Sequence, residues 1–595
     1  MFVGCVALAT SCDLTENVQV KADKSMIFGS KSGLELYSNS FYKALPTLKN
    51  GFMQDKMCDV GAVSNTDTFI KQGAYNTETA TSWSWGALKN INYFIDGCND
   101  PKYCTVDDNT RDNYLGIARW FRAWFYYDKL TTYGKVPWFP HDIQSYQNDV
   151  MYKDRDSRDV IIRNLIADLD FAYEHIQATS STGSSTLTRW AAAALKSRVC
   201  LFEAAYRRYH NLTELEITPE ELYREAAKAA KLVIDNSGCS LNTATGKKGA
   251  YRDLFYNETP LTQEVILAVC ANEKSGIFGE QNWWFNARSY GLCWSLVRSF
   301  VHTYLKLDGT PFTDAADYAV KSFTEEMEGR DLRLEQTVRG RNFLWDGKTA
   351  VADIKNLSLT GYQVIKYTLD ESKYDGGAKN INSIPLIRYA EVLLNYAEAQ
   401  AELGIITDSE WALTVGALRK RAGITGGTET LPTTVDGYLQ RTFYPDVTSP
   451  VLLEIRRERA IELVAEGMRF DDLRRWKCGL LMETLPWSGI HIPGLEQPVD
   501  VNGDGVDDYY FTEGEVTAAP AAYRNIAIRV NQDGVGLYAE ANAVAGYDLV
   551  YKTGAGDRYW YPDGRQYLYP IPAKVIRDYK NAGYTISQNP YWDNE

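Results

Sequence analysis

The sequence lacks the motifs that mark most familiar catalytic and cofactor sites. Its five histidines are isolated, and no HExxH zinc helix occurs. There is no G-x-S-x-G turn, no phosphate-binding GxxxxGK loop and no dinucleotide fingerprint after a strand. Nothing in the sequence therefore specifies a catalyst of these classes.

Paired cysteines, long apolar runs and basic charge are also scarce. The ten cysteines show no CxxC pair and no zinc spacing, so we interpret most as buried apolar residues, although Cys98 and Cys104 could close a short loop. No internal segment is apolar over the roughly 20 residues that a membrane span needs. With 63 Lys and Arg against 77 Asp and Glu, the net charge is −14, which argues against nucleic acid as a partner.

Aromatic residues are what the sequence has in excess. Among 595 residues there are 15 Trp and 40 Tyr, and Tyr outnumbers the 21 Phe almost two to one. Apolar residues make up 45% of the chain, which is enough to bury a large core and excludes a disordered protein.

The first twelve residues, MFVGCVALATSC, are apolar and end in small residues before Cys12. They resemble a bacterial lipobox, in which the cysteine is acylated and becomes the first residue of the mature protein. Ala9 stands where Leu is usual, and a plain signal peptide or an apolar strand are the alternatives. We predict a signal remnant at 1–12 with lipidation of Cys12.

Several segments have the apolar periodicity of helices that come in pairs with short connections. In 385–404 one face carries Tyr389 and Tyr396, the opposite face is acidic, and Gly404 is a plausible stop. The segment 111–133 is apolar almost all round and predicts a buried helix. The other predicted helices are 157–178, 186–206, 218–236, 407–422 and 449–466, and long irregular stretches cover 20–80, 240–290, 340–384 and 480–570. The pattern predicts a mostly α-helical scaffold that presents large loops.

One acidic run has the spacing of a calcium loop. Residues 500–508 match D-x-N-x-D-G-x-x-D, with oxygen ligands expected from Asp500, Asn502, Asp504, the backbone of Val506, and Asp508. The bidentate Glu expected at the twelfth position is replaced by Phe511, and a solvated turn is the alternative. We predict a structural Ca²⁺ site here.

Two groups of tryptophans lie among polar residues. Trp83 and Trp85 follow Asp67, while Asn282, Trp283, Trp284, Arg288 and Trp294 form a second group. Aromatic faces stack on sugar rings and planar polar groups bind sugar hydroxyls, so this composition is typical of glycan binding. Core packing is the alternative for each tryptophan taken singly.

Four further segments, in this order, resemble the SusD/RagB-type glycan-binding lipoproteins of Bacteroidetes. They are GIARWFRAWFYYDKLTTYGKVPWF (116–139), IPLIRYAEVLLNYAEAQAELG (384–404), EIRRERAIELVAEGMRFDDLRRW (454–476) and LYPIPAKVIRDYKNAGYTISQNPYW (568–592). The glutamate and arginine spacing in 454–476 predicts a salt-bridged helix followed by a loop and short helix that ion pairs hold in place. A catalytic Arg/Asp site is the alternative hypothesis.

The resemblance implies tetratricopeptide-like helix pairs with a loop-rich half packed on them. It implies one SusD-like domain over 13–595, with an N-terminal part of about 13–240 and a C-terminal part of about 260–595. It also implies a lipoprotein on the extracellular face of the outer membrane that acts as the lid of a SusC-like TonB-dependent barrel. The glycan ligand would contact Asp67, Trp83, Trp85 and the 282–294 group.

We therefore expect a non-catalytic oligosaccharide receptor that delivers glycan to the transporter. An all-helical glycoside hydrolase is the first alternative, since its carboxylate pair is defined by distances that a sequence does not contain. A scaffold of the transporter complex that binds no glycan is the second.

Overall fold

The computed structural model describes residues 24–49, 53–286, 293–552 and 558–593. The predicted lipobox with Cys12, and Arg288 of the second tryptophan group, lie outside these ranges. Within them, no helix is long and apolar enough to cross a membrane. Cys98 and Cys104 are both free thiols, and Cys98 is buried, as expected for a small apolar residue.

Helices dominate the described chain, and short strands lie mainly in its C-terminal half. The α-helices are α1 (Lys24–Phe28), α2 (Lys31–Ser38), α3 (Gly86–Cys98), α4 (Asp108–Tyr133), α5 (Asn148–Met151), α6 (Arg158–His175), α7 (Arg189–Tyr209), α8 (Pro219–Asn236), α9 (Asp253–Tyr256), α10 (Gln281–Asn286), α11 (Arg298–Val301), α12 (Phe323–Met327), α13 (Arg333–Thr337), α14 (Tyr389–Glu402), α15 (Asp408–Leu413), α16 (Val415–Arg421), α17 (Gly437–Phe443), α18 (Pro450–Glu462), α19 (Arg469–Arg475), α20 (Leu481–Thr484) and α21 (Ala573–Asn581). The strands are β1 (Gly61–Ala62), β2 (Val265–Val269), β3 (Ser295–Leu296), β4 (Leu344–Trp345), β5 (Lys348–Thr349), β6 (Ile384–Arg388), β7 (Ser488–Ile492), β8 (Pro498–Val499), β9 (Tyr509–Thr512), β10 (Ala527–Arg529), β11 (Leu537–Ala541) and β12 (Tyr547–Tyr551).

The long helices pack in succession and form the scaffold. Helix α3 contacts α4, α4 contacts α6, α6 contacts α7, α7 contacts α8, α8 contacts α14, and α14 contacts α18. Each is amphipathic or apolar enough to need a neighbour on its buried face. This succession of paired helices confirms the predicted mostly helical architecture with a loop-rich half.

Helix α4 is the buried helix that the sequence predicts. Asp107 caps its start by accepting a hydrogen bond from the Thr110 N–H at 3.0 Å, and Gly134 ends it at a φ of +73°. Trp120 and Phe121 are both 0% exposed, and the Trp120 ring stacks on Trp124 at a centroid distance of 5.4 Å. Part of the aromatic excess is thus helix packing.

Helix α14 is buried on its polar face as well as on its apolar face. Glu391 forms an ion pair with Arg198 at 2.6 Å, and Glu398 accepts from Arg475 Nη2 at 2.7 Å. The first residues of the predicted segment form β6 instead of helix, because they pair with β2. Gly404 has a φ of +71° and follows the end of the helix, as predicted.

The predicted helix over 407–422 is broken in two. Thr414 lies between α15 and α16 with φ −110° and ψ −92°, and its hydroxyl donates to Glu410 O at 2.6 Å. Just after the break, a Cβ on Gly416 would lie only 1.9 Å from Thr428 O, so this close approach requires glycine.

The segment 454–476 is a buried structural centre. Glu462 of α18 accepts hydrogen bonds from Arg333 at 2.7 Å and from Arg388 at 2.6 Å, and it also pairs with Arg421. These ion pairs connect α18 to α13, β6 and α16, and the predicted pairing along the helix is present between Glu454 and Arg457 at 3.4 Å. Glu462 and its three arginine partners are at most 2% exposed, and their role is structural.

Small sheets occupy stretches that the sequence predicts to be irregular. Strands β7, β12 and β11 form one antiparallel sheet, and β9 pairs antiparallel with β8 and parallel with β10. These strands have two to five residues, too short for an alternating pattern to identify them.

Candidate functional site

Trp83 and Trp85 lie at the entrance to helix α3. Their rings meet edge to face at 5.3 Å, and Trp83 contacts the Tyr133 ring at 4.9 Å. Trp85 contacts Phe139 at 5.3 Å and Phe125 at 5.6 Å, so it is packed on one side. Both tryptophans are only half-buried, and the remaining ring surface faces a cleft.

This cleft, called here the tryptophan cleft, has a volume of about 1150 Å³. One wall is the segment 78–92 with Trp83 and Trp85. The other walls are the C-terminal helix α21 and the segment 139–152, which brings Tyr152 to the lining. The volume is slightly above the roughly 300–1,000 Å³ of a pocket for a drug-sized ligand, so it suits a ligand of several rings.

The rim of the tryptophan cleft is charged but almost neutral overall. Arg577 pairs with Glu78 at 2.6 Å across the cleft, and Lys574 pairs with Asp578 at 2.6 Å along α21. These four side chains are about half exposed or more, so each pair is weak and is readily exchanged for contacts with ligand hydroxyls.

Two more groups fix the shape of the cleft. The Asn92 amide donates to Phe139 O at 2.8 Å and to His141 O at 3.1 Å, which holds the segment 139–143 against α3. Tyr152 packs edge to face on Tyr579 at 5.1 Å, and burial raises the pKa of Tyr579 to about 12. Its phenol therefore stays neutral at physiological pH.

The structure does not bring all predicted ligand residues to this cleft. Asp67 caps a 3-10 turn by accepting from Phe69 N at 3.0 Å and pairs with Lys56 at 2.6 Å, and it does not line the tryptophan cleft. Asn282 is 0% exposed, and its side chain bonds to Leu369 O at 2.8 Å and to Asn380 Nδ2 at 2.7 Å.

Asn282 and Trp294 are corrections to the sequence-based set. Trp294 is 3% exposed and packs on Gly61, where a Cβ would lie 2.4 Å from its indole nitrogen. The Trp294 ring is fully packed and cannot stack on a sugar. The buried Asn282 amide already uses its donors and acceptor within the protein, so it has no group left for a sugar hydroxyl. We assign both residues to the structure of the protein.

Trp283 and Trp284 lie on the short helix α10, apart from the tryptophan cleft. Their rings meet at 4.8 Å, and both are half-buried. They are absent from the lining of the cleft, so the structure does not unite the two predicted tryptophan groups there.

The predicted calcium loop is a turn stabilised by its own carboxylates. Asp500 accepts from Gly503 N at 2.7 Å and from Gly505 N at 2.8 Å, and Asp508 accepts from Val501 N at 2.8 Å. Burial, with smaller effects from the Asp500 and Asp504 charges, raises the pKa of Asp508. In the described ranges no three His, Cys, Asp or Glu side chains are grouped as metal ligands, so the Ca²⁺ site stays a prediction.

Sequence reasoning missed the residues that α21 and the 139–152 segment contribute. Lys574, Arg577 and Tyr579 come from the C-terminal motif, and Tyr152 comes from a stretch between helices. Only the fold brings them into one cleft with Trp83 and Trp85, which are nearly 70 residues from Tyr152 and almost 500 residues from α21 in the sequence. In the sequence, the only indication of these residues is the C-terminal motif 568–592, which identifies the family but not the cleft.

The family of the chain follows from its match to a family profile. The SusD family profile matches residues 263–592, which is more than half of the chain. The chain belongs to the SusD family. It is 25% identical over 378 residues to the SusD-like protein P38 of Formosa agariphila, a match that covers 61% of this chain and 66%, just under two thirds, of that relative.

Solved structures of SusD-like proteins have the same fold. A SusD-like protein of Bacteroides fragilis is 20% identical with a TM-score of 0.64, and the match covers 96% of this chain and 99% of that one. A second, described as a SusD-like carbohydrate-binding protein of B. fragilis, is 18% identical with a TM-score of 0.67 and covers 94% of this chain and 99% of its own.

Proposed function

We propose that this SusD-family chain is a non-catalytic receptor that binds oligosaccharides in the tryptophan cleft. The observation that carries the proposal is the pairing of two half-exposed tryptophan faces with a polar, nearly neutral rim. Sugar rings stack on the apolar ring faces, while the exposed carboxylates and cations of the rim bind hydroxyls. Membership of the family, which includes a solved structure described as a carbohydrate-binding protein, supports the same conclusion.

The alternative of a glycoside hydrolase has less support. A hydrolase needs one carboxyl group held protonated beside a second carboxylate. In the lining of the tryptophan cleft, the acidic residues are Glu78 and Asp578, and each is exposed and paired with a cation. Neither lies in buried, apolar surroundings, since the Glu78 side chain is 63% and the Asp578 side chain 49% exposed.

A panel of soluble polysaccharides and oligosaccharides tests the proposal. Affinity gels and titration calorimetry measure binding, and a reducing-end assay measures cleavage of the same glycans. We expect saturable binding of at least one glycan with no new reducing ends. Turnover would establish the hydrolase, and absence of binding to every glycan would favour the scaffold.

We further propose that the receptor is anchored to the outer surface of the outer membrane through Cys12 and delivers glycan to a SusC-like TonB-dependent barrel. The family resemblance and the lipobox-like sequence support this proposal. One acyl chain binds a membrane only marginally, so stable anchoring at Cys12 needs more than one chain. A Cys12→Ser variant in the native host is expected to leave the membrane fraction, and affinity purification of the wild-type protein is expected to recover the barrel.

A further inference from the structure

A second groove lies on the other side of the first turn of α3. It has a volume of about 1090 Å³ and is bounded by α1, α2 and the 3-10 turn Asn39–Ala44 on one side and by α3 on the other. We call it the second groove. Tyr37, Tyr93, Asn90 and Leu36 are among its lining residues.

The two cavities share a wall. Gly86 and Lys89 line both, while Ala87 and Asn90 face the second groove and Leu88 and Asn92 face the tryptophan cleft. The segment 141–143 alternates in the same way, with His141 and Ile143 on one side and Asp142 on the other. A low ridge, made of the start of α3 and of residues 141–143, therefore separates two adjacent cavities.

Lys89 spans this ridge. Its ammonium group donates to Ile143 O at 3.0 Å and lies 3.5 Å from Asp142. The Lys89 side chain is 61% exposed, so its ammonium group is accessible to a ligand that crosses the ridge. An exposed ammonium of this kind contributes hydrogen-bond donors to ligand oxygens.

The second groove has the same kinds of side chains as the tryptophan cleft. The rings of Tyr37 and Tyr93 lie 6.0 Å apart and are inclined by 32°. The Tyr37 hydroxyl donates to Asn90 Oδ1 at 2.6 Å, which orients the Asn90 amide beside the rings. Leu36 is 77% exposed and Met26, which also lines the groove, is 65% exposed, so the groove presents accessible apolar surface.

We propose that the second groove extends the glycan site, so that a long oligosaccharide crosses the α3 ridge and contacts both cavities. This inference rests on the proposed glycan function of the tryptophan cleft. It adds that the protein selects ligands by length, since only a chain long enough to cross Lys89 gains the contacts of Tyr37 and Asn90. The wall that the two cavities share at Gly86 and Lys89, and the aromatic side chains that line both, favour one extended glycan over a separate ligand.

Calorimetry with short and long oligomers of one glycan tests this inference. With a glycan that the panel identifies, we expect an octasaccharide to bind about tenfold or more tighter than a trisaccharide. Asn90→Leu, which preserves helix and volume but removes the amide, is expected to abolish most of this gain and to leave trisaccharide affinity unchanged. Tyr37→Phe retains the ring and is expected to lose less. Asn236→Leu, at the exposed end of α8, is the matched control.

The outcomes separate this inference from the proposed function. Equal affinity for both lengths, or an undiminished gain in Asn90→Leu, overturns the extended site while Trp85-dependent binding still supports the receptor. Loss of trisaccharide and octasaccharide binding together would place Asn90 in the tryptophan cleft and also overturn the extension. If Asn90→Leu weakens only the recovery of a barrel protein, the second groove is a protein interface and the inference is wrong.

Discussion

Trp85 has both a structural role and a proposed binding role, because one part of its ring packs against the core and another part faces the tryptophan cleft. Its contacts with Phe125, Tyr126 and Phe139 mean that Trp85→Ala will cost some stability as well as affinity. The sequence identified Trp83 and Trp85 from their polar neighbours. It could not separate them from Trp294, whose neighbours in the chain are similar but whose ring packs on Gly61.

Asp55 is a buried carboxyl group that the fold disfavours when it is charged. Burial raises its pKa to about 7, and the Gly467 N–H that donates to it at 2.7 Å opposes the shift. Because the folded pKa lies above the unfolded one, its stabilising contribution is complete below about pH 4 and is lost as pH rises through 7. We expect Asp55→Asn to stabilise the protein by roughly 2–4 kcal/mol at pH 8 and to change little near pH 4.

Denaturant unfolding at the two pH values measures this difference. Asp55→Ala is the control, since it removes the charge and also leaves the Gly467 N–H without its acceptor, and it should gain less than Asn. A stabilisation of Asp55→Asn that is equal at pH 4 and pH 8 would contradict the charge-based explanation.

At the scale of elements, helices were predictable and strands were not. Five of the predicted segments, 111–133, 157–178, 186–206, 218–236 and 449–466, correspond to one helix each with ends shifted by a few residues. A long helix has an apolar periodicity that can be recognised in the sequence alone. A strand of two residues has no such pattern and forms only because a distant segment lies beside it. The break between α15 and α16 at Thr414 could not be predicted for the same reason, because it depends on the close approach of Gly416 to Thr428.

Glu462 connects four elements, so its replacement tests whether the arginine cluster holds them together. Glu462→Gln leaves Arg333, Arg388 and Arg421 buried with less opposing charge. We expect a loss of about 3–5 kcal/mol in the free energy of unfolding, measured with denaturant. Glu220→Gln, which removes an ion pair to Arg208 with a 48% exposed carboxylate, should cost at most about 1 kcal/mol. Equal effects of the two variants would show that the cluster contributes no more than a surface pair.

For the 500–508 loop we propose a structural Ca²⁺ ion, held by Asp500, Asn502, Asp504, the Val506 carbonyl and Asp508. The supporting observation is the calcium-loop spacing of these oxygen-bearing residues in the sequence. Calorimetry on chelator-treated protein is expected to show uptake of Ca²⁺, with Asp504→Asn weakening it. No heat of binding in the treated wild-type protein would refute the site, and the turn would then be stabilised by its backbone hydrogen bonds alone.

At the scale of the whole molecule, buried ion pairs make stability depend on pH. The hydrogen bond with His302 and the charge of Arg298 lower the pKa of Glu326 to about 2 against the opposing effect of burial, and Arg158 and Arg207 lower the pKa of Glu203. Depressed carboxyl pKa values stabilise the fold fully above the unfolded value of about 4.5, and this stabilisation is lost as pH falls towards 2.

We therefore expect the melting temperature to fall steeply between about pH 4.5 and pH 2.5 and to change far less between pH 5 and pH 7, where the Asp55 contribution runs in the opposite direction. Scanning calorimetry across this range measures the profile. A melting temperature that is flat down to pH 2.5 would contradict the assignment of these carboxylates as ionised in the folded protein.

Most of the fold was within reach of the sequence, but only part of the site was. The family motifs specify the helical scaffold, because their residues are its packed core and arginine cluster. The cleft is formed by segments 78–92, 139–152 and 573–582, whose proximity depends on the complete fold. No local pattern around Tyr152 or Arg577 indicates that each faces Trp85.

Glycan binding by Trp83 and Trp85 can be measured by titrating Trp85→Ala with the tightest glycan of the panel. Trp345→Ala is the matched control, since Trp345 is also half-buried but lies in the β4–β5 hairpin outside the cleft. We predict that Trp85→Ala weakens binding at least about tenfold, with the variant shown to be folded by its cooperative melting, while Trp345→Ala retains wild-type affinity. Wild-type affinity in a folded Trp85→Ala protein would show that Trp85 does not bind the glycan.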